Sequence, residues 1–435
     1  MSINIWNENI DIKTFPKLKK DIKTQICIIG GGIAGLLTAR LLKDNGVDCI
    51  VLEAKKIASG TTKNTTAKIT SQHGLIYSKL IKQIGKENAQ KYLQANEIAI
   101  KNYSKLCKDI DCDFIELPNY VYSLNDRKKI EHEVECVNNL GGNAKFVDKI
   151  ELPLNIKGAI KFNNQAQFNP LKFISHIVND LNIYENTMVK SFNGNTTITT
   201  SGKVTADYII IATHFPIINK HGLYFIKMYQ QRSYVLALEN AQNLNGMYID
   251  EKENGLSFRQ YKHYLLLGGG EHRTGSKGDG YIELRKKKIK LYPKSIEKYF
   301  WATQDCITPD SIPYIGQYYN SSKHLFVTTG FNKWGMTSSM VGAQILKDMI
   351  LDKNNDYEEV FFPKRSFLNK KQIYINLLET SKNLLTPTTK RCSHLGCALK
   401  YNKQEHSWDC PCHGSRFSKD GHLIDNPAKR GINIK

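Results

Sequence analysis

One short unit near the N-terminus does most to limit how this chain can fold. Residues 25–29, Gln-Ile-Cys-Ile-Ile, read as a buried parallel strand. Gly30-Gly31-Gly32-Ile33-Ala34-Gly35 follows, a G-x-G-x-x-G. Residues 33–45 then carry helical apolar spacing, and Asn45-Gly46 is a helix stop. A second strand over 47–52 ends at Glu53. Each piece has a physical task. Gly30 permits the tight turn, Gly32 lets backbone approach a pyrophosphate, and Gly35 lets helix and strand pack closely. The helix N-terminus offers free N–H groups to phosphates. Glu53 can accept hydrogen bonds from ribose hydroxyls. The order strand, glycines, helix, strand, acid predicts a dinucleotide site on a Rossmann-type sheet.

The 435 residues suggest two or three domains, at roughly 150 residues each. No apolar run approaches the roughly 20 residues of a membrane helix. The start, Met-Ser-Ile-Asn-Ile-Trp, has no basic region before an apolar stretch, so a cytoplasmic protein is expected. The net charge of +20 is spread along the chain, so nucleic acid is not an expected partner. The densest basic run, Arg285 to Lys290, reads as a solvated helix face or as a dock for an acidic redox partner. Ten cysteines in this length are no disulfide scaffold. Cys27 and Cys49 read as small hydrophobes inside strands.

Four cysteines instead crowd into 392–412. Cys392-Ser-His394 and Cys410-Pro-Cys-His413 form a Cys-x-His and a Cys-x-x-His pair. Two thiolates on one iron and two imidazoles on the other are the ligand set of a Rieske [2Fe–2S] centre. Zinc also accepts two Cys and two His, but its fingers space them as C-x₂₋₄-C and H-x₃₋₅-H.

Gly60-Thr61-Thr62-Lys63-Asn64-Thr65-Thr66 follows the ribose acid, and here the chain resembles the D-amino-acid-oxidase-like superfamily of FAD-dependent oxidoreductases. The resemblance implies that Thr61, Thr62, Thr65 and Thr66 wrap the pyrophosphate and reach the flavin. It implies that Val189 flanks the adenine. It also makes Asp310, in Pro309–Gly316, and Gly335-Met336-Thr337 parts of the closing FAD motif. A helix starting near Gly335 would aim its N-terminus at the flavin. A substrate sheet is expected over about 217–300, with Leu265–Leu267 running into a Gly268-Gly269-Gly270 turn. Arg259 and Tyr234 are candidates for gripping a substrate carboxylate, with a structural salt bridge an equal reading. His272 is a third catalytic candidate, most simply a satisfied histidine.

Residues 392–415 resemble Rieske proteins down to Leu395-Gly396-Cys397 and Pro411-Cys412-His413-Gly414-Ser415. The resemblance makes Cys392, His394, Cys410 and His413 the metal ligands and Cys397–Cys412 a disulfide. Ser415 would donate to a cluster sulfur. Phe417 replaces a tyrosine of high-potential members, which implies a potential below the top of their range.

The expected architecture is α/β plus β. Residues 1–23 are a lead segment. Residues 24–365 carry the FAD-binding domain with its interleaved antiparallel substrate sheet. Residues 366–390 form a linker with a helix near 367–385, and 391–435 form a small, shortened all-β Rieske domain. Members with both parts have a longer segment before the first cysteine, so the cluster is expected to be either unusually exposed or covered by the flavoprotein part. The resemblance implies oxidation of a small amine or amino acid, with electrons passing from flavin to cluster and on to an outside protein. Two other functions fit the same motifs: reversed flow from a reductase, or a redox sensor or carrier without small-molecule turnover.

Overall fold

The structure is a computed structural model that describes residues 4–7, 10, 12–218, 221–278, 280–319, 321–365 and 371–434. The strand Ile22–Ile29 pairs in parallel with Cys49–Leu52 on one side and Lys203–Ile211 on the other. The sheet continues outward to Asn182–Tyr184 at one end and to Leu325–Thr329 and Tyr314–Gln317 at the other. Ile26 to Ile29 are all buried: Ile26 and Ile28 face the helices, while Cys27 and Ile29 pack on the other face in a second core with Val189, Phe215 and Tyr224. The helices Ile33–Asp44 and Gly335–Ile350 pack side by side on it. Strand order reverses at Ile22–Ile29, so a crevice opens at the carboxyl ends there. The glycine turn stands in that crevice.

The second sheet corrects the expected substrate sheet. Its order is Ile296–Ile307, Tyr229–Glu239, Tyr264–Arg273, Ser257–Tyr261, Met247–Asp250, Ile115–Ser123, Gly158–Gln167, Lys68–Ile69. A ninth strand, Ala144–Val147, pairs with Gly158–Gln167 beside that order; the later strands match the expected 217–300 region, but four come from before it. The two blocks join where Met247–Asp250 pairs in parallel with Ile115–Ser123, a link between segments far apart in sequence. Gly268–Gly270 also differ from expectation: they lie within the strand Tyr264–Arg273, not in a turn. A Cβ on Gly270 (φ +66°) would stand 2.5 Å from the Gly280 carbonyl oxygen, and one on Gly280 would meet the Tyr234 ring. The missing side chains let the helix Gly280–Leu291 lie directly on the sheet. In that helix Arg285 pairs with Glu297 at 2.6 Å, while Lys286 and Lys287 are exposed.

The C-terminal part is a four-stranded antiparallel sheet in sequential order: Lys400–Asn402, Ser407–Asp409, Arg416–Ser418 and Leu423–Asp425. The expected linker helix is present over Lys371–Leu385; its expected first residues, 367–370, lie outside the described residues. Among the described residues no helix is long and apolar enough to cross a membrane.

Candidate cofactor and cluster sites

The glycine turn is built as its sequence requires. Gly30 has φ +115°, and a Cβ there would sit 2.4 Å from the Ala212 carbonyl oxygen. A Cβ on Gly35 would be 2.0 Å from the Gly30 oxygen, so only glycine brings helix and turn this close. Gly32 is the residue before the helix, whose first N–H, on Ile33, donates to Thr62 Oγ1 at 3.1 Å. Glu53 Oε2 accepts from Gly31 N and Oε1 from Lys55 N, both at 2.8 Å. Burial raises the Glu53 carboxyl even so.

These residues open onto one cavity of about 910 Å³. Gly30, Gly32, Glu53, Thr61, Thr62, Thr65, Thr66, Val189, Gly335 and Met336 all line it. The cavity reaches from the glycine turn to the N-terminus of the helix at Gly335, and this span together with a turn too close for any Cβ fits an extended dinucleotide. Three expected cofactor residues stand off the lining. Gly35 acts through packing. Asp310 is held by Arg365 at 2.6 Å and accepts from Ile312 N at 3.1 Å, so it shapes its own turn. The Thr337 hydroxyl is 3.1 Å from both Thr70 O and His73 Nε2.

The catalytic candidates are separated. Arg259 is fully buried and does not line the cavity. Its Nε donates to Gln167 at 2.7 Å, Nη2 to Phe168 O at 2.9 Å and Nη1 to Thr66 O, while Trp6 stacks over it. A guanidinium engaged on every nitrogen cannot also grip a substrate, so Arg259 is structural. Tyr234 reaches the lining, but its hydroxyl meets His272 Nε2 at 2.9 Å and Glu405 at 3.2 Å. His272 Nδ1 contacts Arg273 O at 2.9 Å, so that ring is satisfied and lies off the cavity.

Other charged and aromatic groups take their place. Lys68, His73, Glu271, Asp305, Lys333 and Trp334 line the cavity. Glu271 and Lys333 form an ion pair. Burial pushes the Asp305 carboxyl up to about 6 and, with Arg259 nearby, pulls Lys68 down to about 7. His73 stacks on Trp334 at 4.9 Å, and its nitrogens contact Tyr92 OH and Thr70 O, each at 2.7 Å. Burial lowers it to about 3, so it is a neutral wall. Nothing in the spacing of Lys68 and Lys333 sets them apart from the chain's many other lysines.

At the other end, two loops of the same shape face each other. Cys392 N donates to Cys397 O and Gly396 N to Cys392 O, both at 2.9 Å. Cys410 N donates to Ser415 O and Gly414 N to Cys410 O, also at 2.9 Å. Gly396 and Gly414 take φ of +81° and +85°. The rings of His394 and His413 stand 5.0 Å apart. His413 is buried with neither ring nitrogen hydrogen-bonded. Cys397 is paired with Cys412. The sulfurs of Cys397, Cys410 and Cys412 lie within 4.8 Å of one another, but the pairing leaves Cys392 and Cys410 as the free thiols. Their mutual hydrogen bond lowers Cys392 to about 7 and raises Cys410. Two thiols, two imidazoles and an unpartnered buried ring are the donor set of a Rieske centre.

The second cluster loop, Cys410–Ser415, is covered by the larger part of the chain, while the first keeps Leu395 exposed, so the cluster site is partly covered. Gln230 Nε2 donates to His413 O at 2.7 Å, Gln304 Nε2 to Gly414 O at 2.8 Å, and Arg273 Nε to Pro411 O at 2.8 Å. A Cβ on Gly414 would press 2.5 Å from Gln230. Glu405 sits between Arg232 and Arg416. Burial alone would raise its carboxyl, but the two guanidiniums hold it down at about 2. Ile424 O accepts from Lys55 Nζ at 2.7 Å, and Asn426 donates to Thr213 O and Phe215 O. Glu405, Arg416 and residues 423–426 therefore line the same cavity as the glycine turn.

The fold and the two sites define a flavoprotein with an appended iron–sulfur module. Residues 25–349 match the FAD dependent oxidoreductase family, and 352–434 match the Rieske [2Fe-2S] domain. The chain belongs to that oxidoreductase family and carries FAD and a Rieske cluster as its cofactors. A Bacillus subtilis (strain 168) protein named as a Rieske 2Fe-2S iron-sulfur protein, YhfW, is 34% identical over 97% of this chain and 95% of its own length. In fold, glycine oxidase from Geobacillus kaustophilus matches 79% of this chain and 99% of its own at TM-score 0.67 and 16% identity. L-proline dehydrogenase from P. horikoshii matches 81% and 98% at TM-score 0.67 and 19% identity.

Proposed function

We propose that this chain oxidises a small amine or amino acid and passes the electrons, within one molecule, to a cluster held by Cys392, His394, Cys410 and His413. The observation that carries this is the shared cavity, whose wall comes from the glycine turn and from the cluster module alike. FAD supplies hydride acceptance and one-electron release, and the cluster supplies one-electron exchange.

In this reading Gly30, Gly32 and the N-terminus of the helix at Ile33 receive the pyrophosphate. Glu53 holds the ribose, Val189 borders the adenine, and the threonines of 61–66 line the path to the flavin. The helix at Gly335 presents its positive end to the flavin ring. Lys68, Asp305 and the Glu271–Lys333 pair face the substrate, in place of Arg259. Ser415 accepts from Ala428 N at 3.0 Å, which leaves its own hydrogen to donate toward Cys392. Gln230 and Gln304 hold the cluster loop against the cavity wall. Electrons leave to an external redox protein or other acceptor, and the buried free thiols fit a cytoplasmic setting.

Anaerobic titration of the purified protein with amines and amino acids tests this, following flavin and cluster absorbance together. Bleaching of both, flavin first, is expected. If only a reductase bleaches them, electrons run the other way. Iron and sulfide missing from anaerobically purified protein would remove the cluster from the scheme.

A further inference from the structure

The helix Lys371–Leu385 is tied to the cluster module and to the flavoprotein part on one side only. Asn376 donates to Ile226 O at 3.0 Å and accepts from Arg273 at 2.9 Å. Asn383 O accepts from Ala398 N at 2.9 Å. Ile373, Asn376 and Asn383 are the buried side chains of this face.

The opposite face is bare, and apolar side chains stand on it among Lys371, Ser381 and Lys382. Tyr374, Leu378 and Leu385 recur at helical spacing and are 60%, 70% and 83% exposed. Leu377 and Leu384 stand exposed beside them. Arg391 Nη1 donates to both Leu384 O, at 2.9 Å, and Gly396 O, at 3.0 Å. This bridge brings exposed Leu395, the neighbour of His394, to the end of the same surface. A contiguous apolar patch of this kind on a soluble surface marks an interaction site.

Charge identifies what covers it. Lys371 and Lys382 are exposed on this same face, each within one turn of Tyr374 or Leu385. Glu379, the one acid of the helix, is turned inward: its carboxylate accepts from Asn383 at 3.2 Å and its carbonyl faces Cys412. The chain as a whole carries +20. A helix that presents leucines, a tyrosine and lysines together on its exposed face can lie flat in the headgroup region of an anionic bilayer, leucines inserted and ammonium groups at the lipid phosphates.

We propose that the face of Lys371–Leu385, continued by Leu395, docks on an anionic lipid surface, holding the His394 edge of the cluster loops against the membrane. Its bearing on electron transfer rests on the proposed function; the docking itself needs neither flavin chemistry nor the cluster.

Co-sedimentation of the holoprotein with vesicles tests it. Vesicles of phosphatidylcholine and phosphatidylglycerol in equal parts are expected to bind the protein, and pure phosphatidylcholine to bind it far less. Leu378→Ser with Leu385→Ser should weaken binding by about tenfold or more, because two leucines no longer enter the interface. Lys371→Glu with Lys382→Glu should weaken it at low salt, with flavin content unchanged in both variants. Binding left intact in the leucine variant would trace it to net charge and overturn the proposal. So would no binding by the wild type, including the case where the leucines instead hold a dimer that the same substitutions dissociate in solution.

Discussion

The two ends of the cavity are built by different rules. At the glycine end, backbone makes the site: a Cβ on Gly30 or Gly35 would stand 2.4 or 2.0 Å from a carbonyl oxygen, and the helix N-terminus opens onto the cavity. At the end proposed for the substrate, side chains from remote segments make the wall: Lys68 comes from the edge strand Lys68–Ile69, Glu271 from Tyr264–Arg273, Asp305 from Ile296–Ile307, and Lys333 from the loop before the helix Gly335–Ile350. Backbone sites announce themselves through residue types that nothing else can replace. Side-chain sites depend on which strands the fold happens to align.

The largest expected effect tests the backbone rule. Gly30→Ala combines a strained left-handed φ with a clash against backbone that cannot move. It should cost about 4 kcal/mol and abolish flavin retention. The check is thermal melting together with the flavin-to-protein absorbance ratio; a variant that keeps full flavin would show that the turn tolerates a side chain.

Arg232→Ala probes the join between the two parts. It leaves Glu405 buried with Arg416 as its remaining guanidinium, and should cost about 3 kcal/mol. The same pair sets a pH dependence. The Glu405 carboxyl falls from its ordinary 4.5 to about 2 in the fold. A depressed acid stabilises the folded state above pH 4.5, and that stability drains away as pH falls from 4.5 toward 2. Urea melts across this range should show the loss in the wild type and a shallower one in Glu405→Gln.

Gln304→Ala is a smaller break. It removes donors to Gly414 O and to Gln230 Oε1 and should cost about 1 kcal/mol. The informative readout is the rate of internal electron transfer, which should fall more than stability does if the cluster loop shifts from the cavity wall.

What the residues disclosed follows the same division. The strand–glycine–helix–strand unit and the paired Cys-x-His and Cys-x-x-His ligands could be read because each carries its geometry in local spacing, whereas the threonines of 61–66 were placed on the cavity by the family resemblance. The nine-stranded sheet could not, since its centre joins Ile115–Ser123 to Met247–Asp250 across more than a hundred residues. Arg259 misled for a related reason. Its position in the sheet was legible, but not that Trp6 and Thr66 would close over it from the other face. Gly268–Gly270 read as a turn because a glycine run signals one locally, whereas here the neighbouring helix requires it.

Asp305→Asn sharpens the substrate end with the smallest change. Burial raises the Asp305 carboxyl from 3.8 to about 6, against the opposing pull of Lys333. A raised acid makes its folded state most favourable below pH 3.8 and progressively less so as pH climbs through 6. Asp305 is half-buried at the cavity wall, so solvent offsets part of that penalty. Neutral asparagine should therefore leave stability unchanged at low pH and raise it by about 1 kcal/mol at neutral pH. Activity separates the two roles this group can have. If Asp305 contacts the substrate as an anion, wild-type kcat/KM should rise through about pH 6, and this limb should vanish in the variant. A variant with the stability gain and an unaltered pH profile would make Asp305 a bystander of the cavity, leaving Lys68 and the Glu271–Lys333 pair to recognise the substrate.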